Sequence, residues 1–354
     1  MANTVITAMM QGYDEQAVSM NNEFFLQRLF WDENVFASTE VEVDIQRDSE
    51  KIAIDVIRGG GNVGNGNQAD IYTSKTYTPP MYNEYGFVTA TQLTKRIPNQ
   101  PKYSNIDKEA AFMYYAGKIN RKNTMKIMRA IELQAAQALL TGTVTLTNGE
   151  SLDFKMKSSH KLTPSIKWDQ STGVPITDIS NHVDTIFKDG KVIPNVAIFG
   201  QKAWSVFWAN PQVQKYLDNR RFDQGRIEPS ERLNGARYKG TLEIGDAVLD
   251  LYTYSNFYTN SSGTQTVYLT TDSVILMNKD ALLQKAYAET EVMPKYEEMY
   301  REEGMPEGLE FAGGKLVPYT YDAPPTSQAV GVQSAPLVIP TAIDTIGSIN
   351  NVDS

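Results

Sequence analysis

The sequence predicts an α+β chain built around one long helix, and three observations carry that prediction. Residues 104–141 hold a helical pattern of roughly forty residues, extended glycine-punctuated segments flank it, and the stretch 158–283 alternates short helical and extended patterns.

The long helix is the firmest element. Phe112, Tyr115, Ile119, Met125, Met128, Ile131, Ala135 and Leu139 recur in steps of three, four and six, which keeps them on one side at 3.6 residues per turn. At about 1.5 Å per residue the run reaches roughly 55 Å, longer than an ordinary 100-residue domain is wide, so it reads as a spine crossing an elongated body. Gly142 supplies its C-terminal stop.

Ahead of the spine, Ser19–Phe36 reads as a short amphipathic helix loaded with Phe24, Phe25, Leu26, Leu29, Phe30 and Trp31. These side chains fit either a core or an interface with another subunit, where Phe and Trp make good anchors. Thr39–Gln46 and Lys51–Ile57 alternate apolar and polar residues and predict two half-buried strands joined by the polar turn Arg47–Glu50. Residues 59–67 then place five glycines and three asparagines in nine positions. A phosphate-binding loop needs a lysine after its last glycine, but Gly66 is followed by Asn67 and Gln68; a dinucleotide fingerprint lacks its flanking strand and helix. A protruding loop tip is the reading that remains. Ile71–Thr94 returns as extended chain, interrupted by Pro79-Pro80, which confines it to an edge or a bend.

After the spine, Thr143–Leu146 and Leu152–Met156 predict a hairpin around Asn148-Gly149. Helices are expected at Ile179–Lys188, Ala203–Trp208 and Val213–Arg220. Strands are expected at Val196–Phe199, Tyr238–Leu242, Ala247–Thr253, Thr266–Thr270 and Val274–Met277. This α/β unit is inserted in the elongated body, and Lys315–Tyr321 and Ser334–Ile339 predict strands that return to the first part of the chain, with a Pro324-Pro325 loop between them.

Composition narrows the chemistry. The chain has 354 residues, of which 41% are apolar, enough for two or three cored domains. With no cysteine there is no disulfide framework, thiolate metal site or cysteine nucleophile. The first residues lack a secretory signal pattern, and no apolar run approaches the length of about 18 residues that spans a membrane. The two histidines, His160 and His182, are separated by a proline- and glycine-containing stretch, so a shared metal site is not expected, nor is any cofactor. A net charge of −9 disfavours tight phosphate binding over the whole surface and leaves room only for local, weak contact with nucleic acid.

Charge is patterned along the chain. Segment 289–310 carries Glu289, Glu291, Glu297, Glu298, Glu302, Glu303, Glu307 and Glu310 against Lys295 and Arg301. A carboxylate pair for hydrolysis would need burial in a cleft, which nothing in the sequence indicates. The strip is either a solvated face or an interface that meets the basic run Arg220, Arg221, Arg226, Arg232, Arg237 and Lys239 on a second copy. On the spine, Lys118, Arg121, Lys122, Lys126 and Arg129 cluster on the polar side, with no acid between Glu109 and Glu132. This patch is either solvated or turned toward a polyanion.

The ordered series Phe25–Phe30, Leu93–Pro98, Glu132–Gly142, Ala203–Phe207, Leu217–Arg221, Tyr238–Gly240 and Gln333–Leu337 resembles the major capsid proteins of tailed phages with the Hong Kong 97 type fold. The lambda-like capsid protein E branch is the most similar, and the resemblance covers nearly the whole chain. It implies an N-terminal arm (residues 1–38), an extended loop (39–100) and a peripheral domain with the spine helix (101–158). An axial α/β domain (159–284) and a return to the peripheral domain (285–354) would complete the fold. It also implies a non-enzymatic subunit located in the virion that self-assembles into pentamers and hexamers around double-stranded DNA, with a decoration protein, a scaffold and a portal as further partners. Subunit contacts are then expected at Phe24, Phe25, Leu29, Phe30, Trp31, Gly60, Gly61, Asn62, Gly64, Gly66, Arg220, Arg221, Glu297, Glu298 and Glu302, and DNA contact at the five spine cations. Some members of the wider family cross-link subunits through lysine and asparagine, but there is no lysine between Lys51 and Lys75, so covalent cross-linking is not expected. Removal of an N-terminal scaffold segment is not expected either, since the sequence starts at Met1. The rival readings are a tail-tube or decoration subunit, which would be dominated by strands, and a carboxylate-based hydrolase.

Overall fold

A computed structural model of the chain describes residues 25–45, 73–95, 107–146, 150–216, 235–260, 262–290, 315–323 and 326–353. In chain order the strands are β1 (Asp32–Val35), β2 (Val41–Ile45), β3 (Thr73–Tyr77), β4 (Tyr82–Thr89), β5 (Thr143–Thr145), β6 (Ser151–Asp153), β7 (Lys161–Leu162), β8 (Val196–Gly200), β9 (Ala236–Ile244), β10 (Ala247–Tyr254), β11 (Phe257–Thr259), β12 (Gln265–Val267), β13 (Val274–Met277), β14 (Leu283–Ala288), β15 (Val317–Ala323), β16 (Ser327–Pro340) and β17 (Ile346–Ile349).

The spine helix runs over Lys108–Thr141, 34 residues and about 50 Å. It starts four residues later than the periodicity predicts because Asp107, in extended conformation, accepts hydrogen bonds from the backbone N–H of Glu109 and Ala110 and so caps the first turn. Its C-terminal stop is Gly142, in the left-handed region at φ 66°. A Cβ there would sit 2.4 Å from Cβ of Met156, so both backbone conformation and space require glycine. Gly142→Ala is expected to cost about 2–4 kcal/mol, adding about 1 for the left-handed backbone to 1–3 for overpacking. A denaturant midpoint unchanged by the substitution would refute that account.

One face of the spine lies on a five-stranded sheet, ordered β1-β14-β16-β15 with β4 also paired to β16. Gly86 of β4 lets the helix approach, since a Cβ there would meet Ile119 at 2.9 Å. Val88, Ala116 and Val330 close that contact. The returning strands β15 and β16 pair antiparallel with each other, and β16 pairs with β4, as the sequence predicts for the end of the chain. Gln134 marks the point where β16 passes from β4 to β14: its amide donates to Pro336 O and accepts from Val338 N. Between β3 and β4 the chain breaks at Pro79-Pro80, and β2 pairs antiparallel with β3; Lys51–Ile57 and the turn before it lie outside the described residues. β5 and β6 form the predicted hairpin.

The second sheet has six strands, ordered β7-β17-β13-β8-β10-β9. Alternate residues serve two cores. Val196, Ile198, Ile275 and Met277 pack toward Ile127, Ile131 and Leu139 of the spine, whereas Ala197, Phe199, Val274 and Leu276 pack under helices Pro175–Gly190 and Gln201–Ala209. A strand buried on both faces reads as an unbroken apolar run, which is why β8 and β13 are visible in sequence. The core shared by spine and both sheets joins the two parts of the chain.

Candidate functional site

Two regions carry the residues singled out by sequence. The first is the outer face of the spine. Lys118, Arg121, Lys122, Lys126 and Arg129 are all exposed. Lys126 is held by Glu84 of β4 at 2.5 Å, while Lys118, Arg121, Lys122 and Arg129 have no carboxylate partner among the described residues. At about 100° per residue these four project within one quarter to one third of the helix circumference. The result is a line of four cations, unpaired among the described residues, on the side of the helix turned away from the five-stranded sheet and suited to phosphates along a polymer.

The second region is the junction of the N-terminal segment with the body. The amphipathic helix expected over residues 19–36 is replaced, in its described part, by a single 3₁₀ turn at Leu26–Leu29 followed by β1, which pairs parallel with β14. The same aromatic spacing satisfies both arrangements, and the distant strand decides. Phe25, Leu26 and Phe30 are buried in the chain's own core and Leu29 is half-buried, so Phe25 and Phe30 anchor the segment inward; Trp31, 62% exposed, is the aromatic that faces outward. Phe24 lies outside the described residues, as do Gly60, Gly61, Asn62, Gly64, Gly66, Arg220, Arg221, Glu297, Glu298 and Glu302. Of the basic run, Arg237 and Lys239 are exposed on edge strand β9, with Lys239 over the Trp204 ring.

The residue that organises the junction enters the sequence analysis only as the end of an acid-free stretch and the first residue of the segment Glu132–Gly142. Glu132 is fully buried on the inner side of the spine. One carboxylate oxygen accepts from Leu26 N at 2.9 Å and from the Tyr254 hydroxyl at 2.5 Å; the other accepts from Gln27 N at 2.9 Å. Burial pushes its pKa up, against the downward pull of Tyr254 and the backbone N–H groups. Burial and the Glu132 carboxylate beside it push the Tyr254 hydroxyl far up, so it stays a donor. The available signal was position: Glu132 lies four residues after Met128 and three before Ala135, both on the apolar side.

The fold also brings the two histidines near one another. His160 is fully buried, with Nδ1 2.7 Å from Ile346 O and Nε2 2.9 Å from Asp189 Oδ2. Lys157 bridges Asp189 and Asp344 at 3.3 and 3.5 Å. Burial and then the nearby His160 depress the His182 pKa to about 4. This group ties the chain entering the six-stranded sheet, near β7, to the chain re-entering it at β17. Among the described residues no three His, Asp or Glu side chains are grouped to hold a metal, and no helix is long and apolar enough to cross a membrane.

Comparison with known proteins places this architecture. A family described as Phage major capsid protein E matches residues 14–351. A solved structure of an Escherichia coli CFT073 prophage protein, assigned to the capsid, is similar at 20% identity over 99% of both chains, with a TM-score of 0.67. A phage-related protein from Bordetella bronchiseptica RB50 is 13% identical over 92% of this chain and 91% of its own, with a TM-score of 0.48. No curated protein matches the sequence. The mixed α+β body shares the fold of that prophage protein, the Hong Kong 97 type capsid fold. The chain therefore belongs to the phage major capsid protein E family, a structural rather than catalytic protein that forms the capsid shell of the virion.

Proposed function

We propose that the chain assembles into pentamers and hexamers that close an icosahedral head around double-stranded DNA. The observation that carries this reading is the family match over residues 14–351 of the 354. On this reading residues 1–38 are an arm and 39–100 an extended loop reaching a neighbour. Residues 101–158 and 285–354 form the peripheral domain, and 159–284 the axial domain. Interlocked limbs make each subunit's stability depend on its neighbours, so many modest contacts add into a pressure-resistant shell. The acidic strip 289–310 and the basic run 220–239 meet between copies. The spine cations touch packaged DNA weakly, and a decoration protein, a scaffold and a portal are further partners. A tail-tube or decoration subunit is disfavoured by the 34-residue helix.

Negative-stain microscopy of the purified chain tests this reading. Rings of five and six subunits or closed shells are expected; a monomer that persists at high concentration would overturn it.

A further inference from the structure

The Glu132 clasp is an expensive way to hold a peptide segment. Apolar contact alone, through Phe25, Leu26 and Phe30, suffices to keep residues 25–30 on the body, and burying a carboxylate opposes that docking. What apolar contact cannot supply is register, because it is not directional. A carboxylate facing two successive backbone N–H groups is directional: Leu26 N and Gln27 N must both point at Glu132, one to each oxygen, while Tyr254 of β10 holds the carboxylate from the other side. The carboxylate takes N–H groups left free at the start of the 3₁₀ turn Leu26–Leu29, whereas Arg28 N and Phe30 N are already given to Phe25 O and Gln27 O, so Glu132 marks where that turn begins on the body.

We propose that Glu132 is a positioning residue for assembly: it fixes the register in which the N-terminal segment docks, and so the place on the body from which the preceding 24 residues start. The inference rests on the reading of residues 1–38 as an arm that contacts other subunits. Once Phe25 is fixed, the reach of that arm is measured from one point in every copy, and symmetric neighbours receive it identically.

Glu132→Gln is the direct test, because all partners of the carboxylate are donors and an amide NH₂ meets a donor wherever it is turned. Hydrogen exchange on the full-length protein should show protection of the Leu26 and Gln27 amides reduced about tenfold, the equivalent of one net hydrogen bond, with the spine amides still protected. Microscopy of the same preparation should show irregular or open particles. Tyr254→Phe removes one donor and leaves both backbone contacts, so exchange and particles should match the parent. Gln27→Pro takes one N–H away from the other side without touching the spine and should reproduce the lost protection at Leu26 and the irregular particles, also where Glu132→Gln fails to fold. Regular shells from either Glu132→Gln or Gln27→Pro, or unchanged protection at residues 26–27, would overturn the positioning role. A chain lacking residues 1–24 separates the two ideas: regular shells from it would overturn the arm reading itself.

Discussion

Lowering the pH from 6.5 to 4 is expected to remove about 3 kcal/mol of folding stability through His182 alone. Its pKa in the fold is depressed from 6.5 to about 4, first by burial and then by the nearby His160. In the unfolded chain the imidazole takes up its proton near its ordinary value, whereas the folded protein resists until about pH 4. The contribution is therefore fully present above 6.5 and is lost as pH falls through this window. Each unit of difference is about 1.4 kcal/mol, hence the figure of about 3. Space supports the assignment: a Cβ on Gly347 would lie 2.6 Å from His182 Nε2, and that nitrogen has no hydrogen-bond partner among the described residues, so the backbone hydrogen bond to His160 opposes the loss only in part. Denaturant melts of the parent and of His182→Leu at pH 4, 5, 6.5 and 7.5 check this. Between pH 6.5 and 4 the parent should lose about 3 kcal/mol more than His182→Leu; parallel curves would refute it. Asp189 also contributes to acid sensitivity: burial pushes it up, but His160 and Lys157 pull it below the usual carboxylate range. It is present in both proteins and cancels in the difference. Glu132 acts with the opposite sign, since its raised pKa favours the fold below the ordinary carboxylate range and loses that benefit as pH rises.

What could be read in the sequence followed from whether local pattern and tertiary environment agree. β13 spans Val274–Met277 as predicted, because burial on both faces makes a four-residue apolar run unambiguous. The spine was visible through its length, although its buried side also holds Asn120, Asn123, Thr124 and Gln134, polar residues that blur the stripe. Gln134 shows why they are tolerated: it supplies hydrogen bonds that β16 needs where it changes partners. β1 was illegible. Asp32-Glu33-Asn34-Val35 has no apolar alternation, and it becomes a strand by pairing with residues 284–287, a contact no local window contains; Glu33 then bonds to Lys285 and Lys315. Glu132 failed for the same reason. An acid on a helix reads as solvated until Leu26, Gln27 and Tyr254, each more than a hundred residues away in sequence, are known to surround it. The exposure of the spine cations is legible because it is the default for Lys and Arg, whereas the pairing of Lys126 with Glu84 is a tertiary contact that local pattern does not contain.

Replacing Lys118, Arg121, Lys122 and Arg129 together by glutamine is expected to weaken duplex DNA binding by assembled shells or capsomers about a hundredfold at low salt. Each phosphate neutralised contributes about 0.9 to the slope of log affinity against log salt, so four cations account for a slope of about 3.6. Between 50 and 200 mM salt that slope is worth a factor of about 150 in the parent, and the substituted protein should lose this dependence. Glutamine keeps the helix propensity of lysine and arginine and removes the charge at exposed positions, so the spine and its core face stay as they are. Lys126→Gln alone should change the slope little, because its charge is already neutralised by Glu84. Fluorescence anisotropy with a labelled duplex at several salt concentrations separates these cases. A quadruple variant with an unchanged slope would show that the spine face does not meet nucleic acid. A large effect of Lys126→Gln would show that the ion pair with Glu84 opens on binding. Since the chain as a whole carries −9, a slope that falls only in the quadruple variant would assign DNA contact to this one face and repulsion to the rest of the surface.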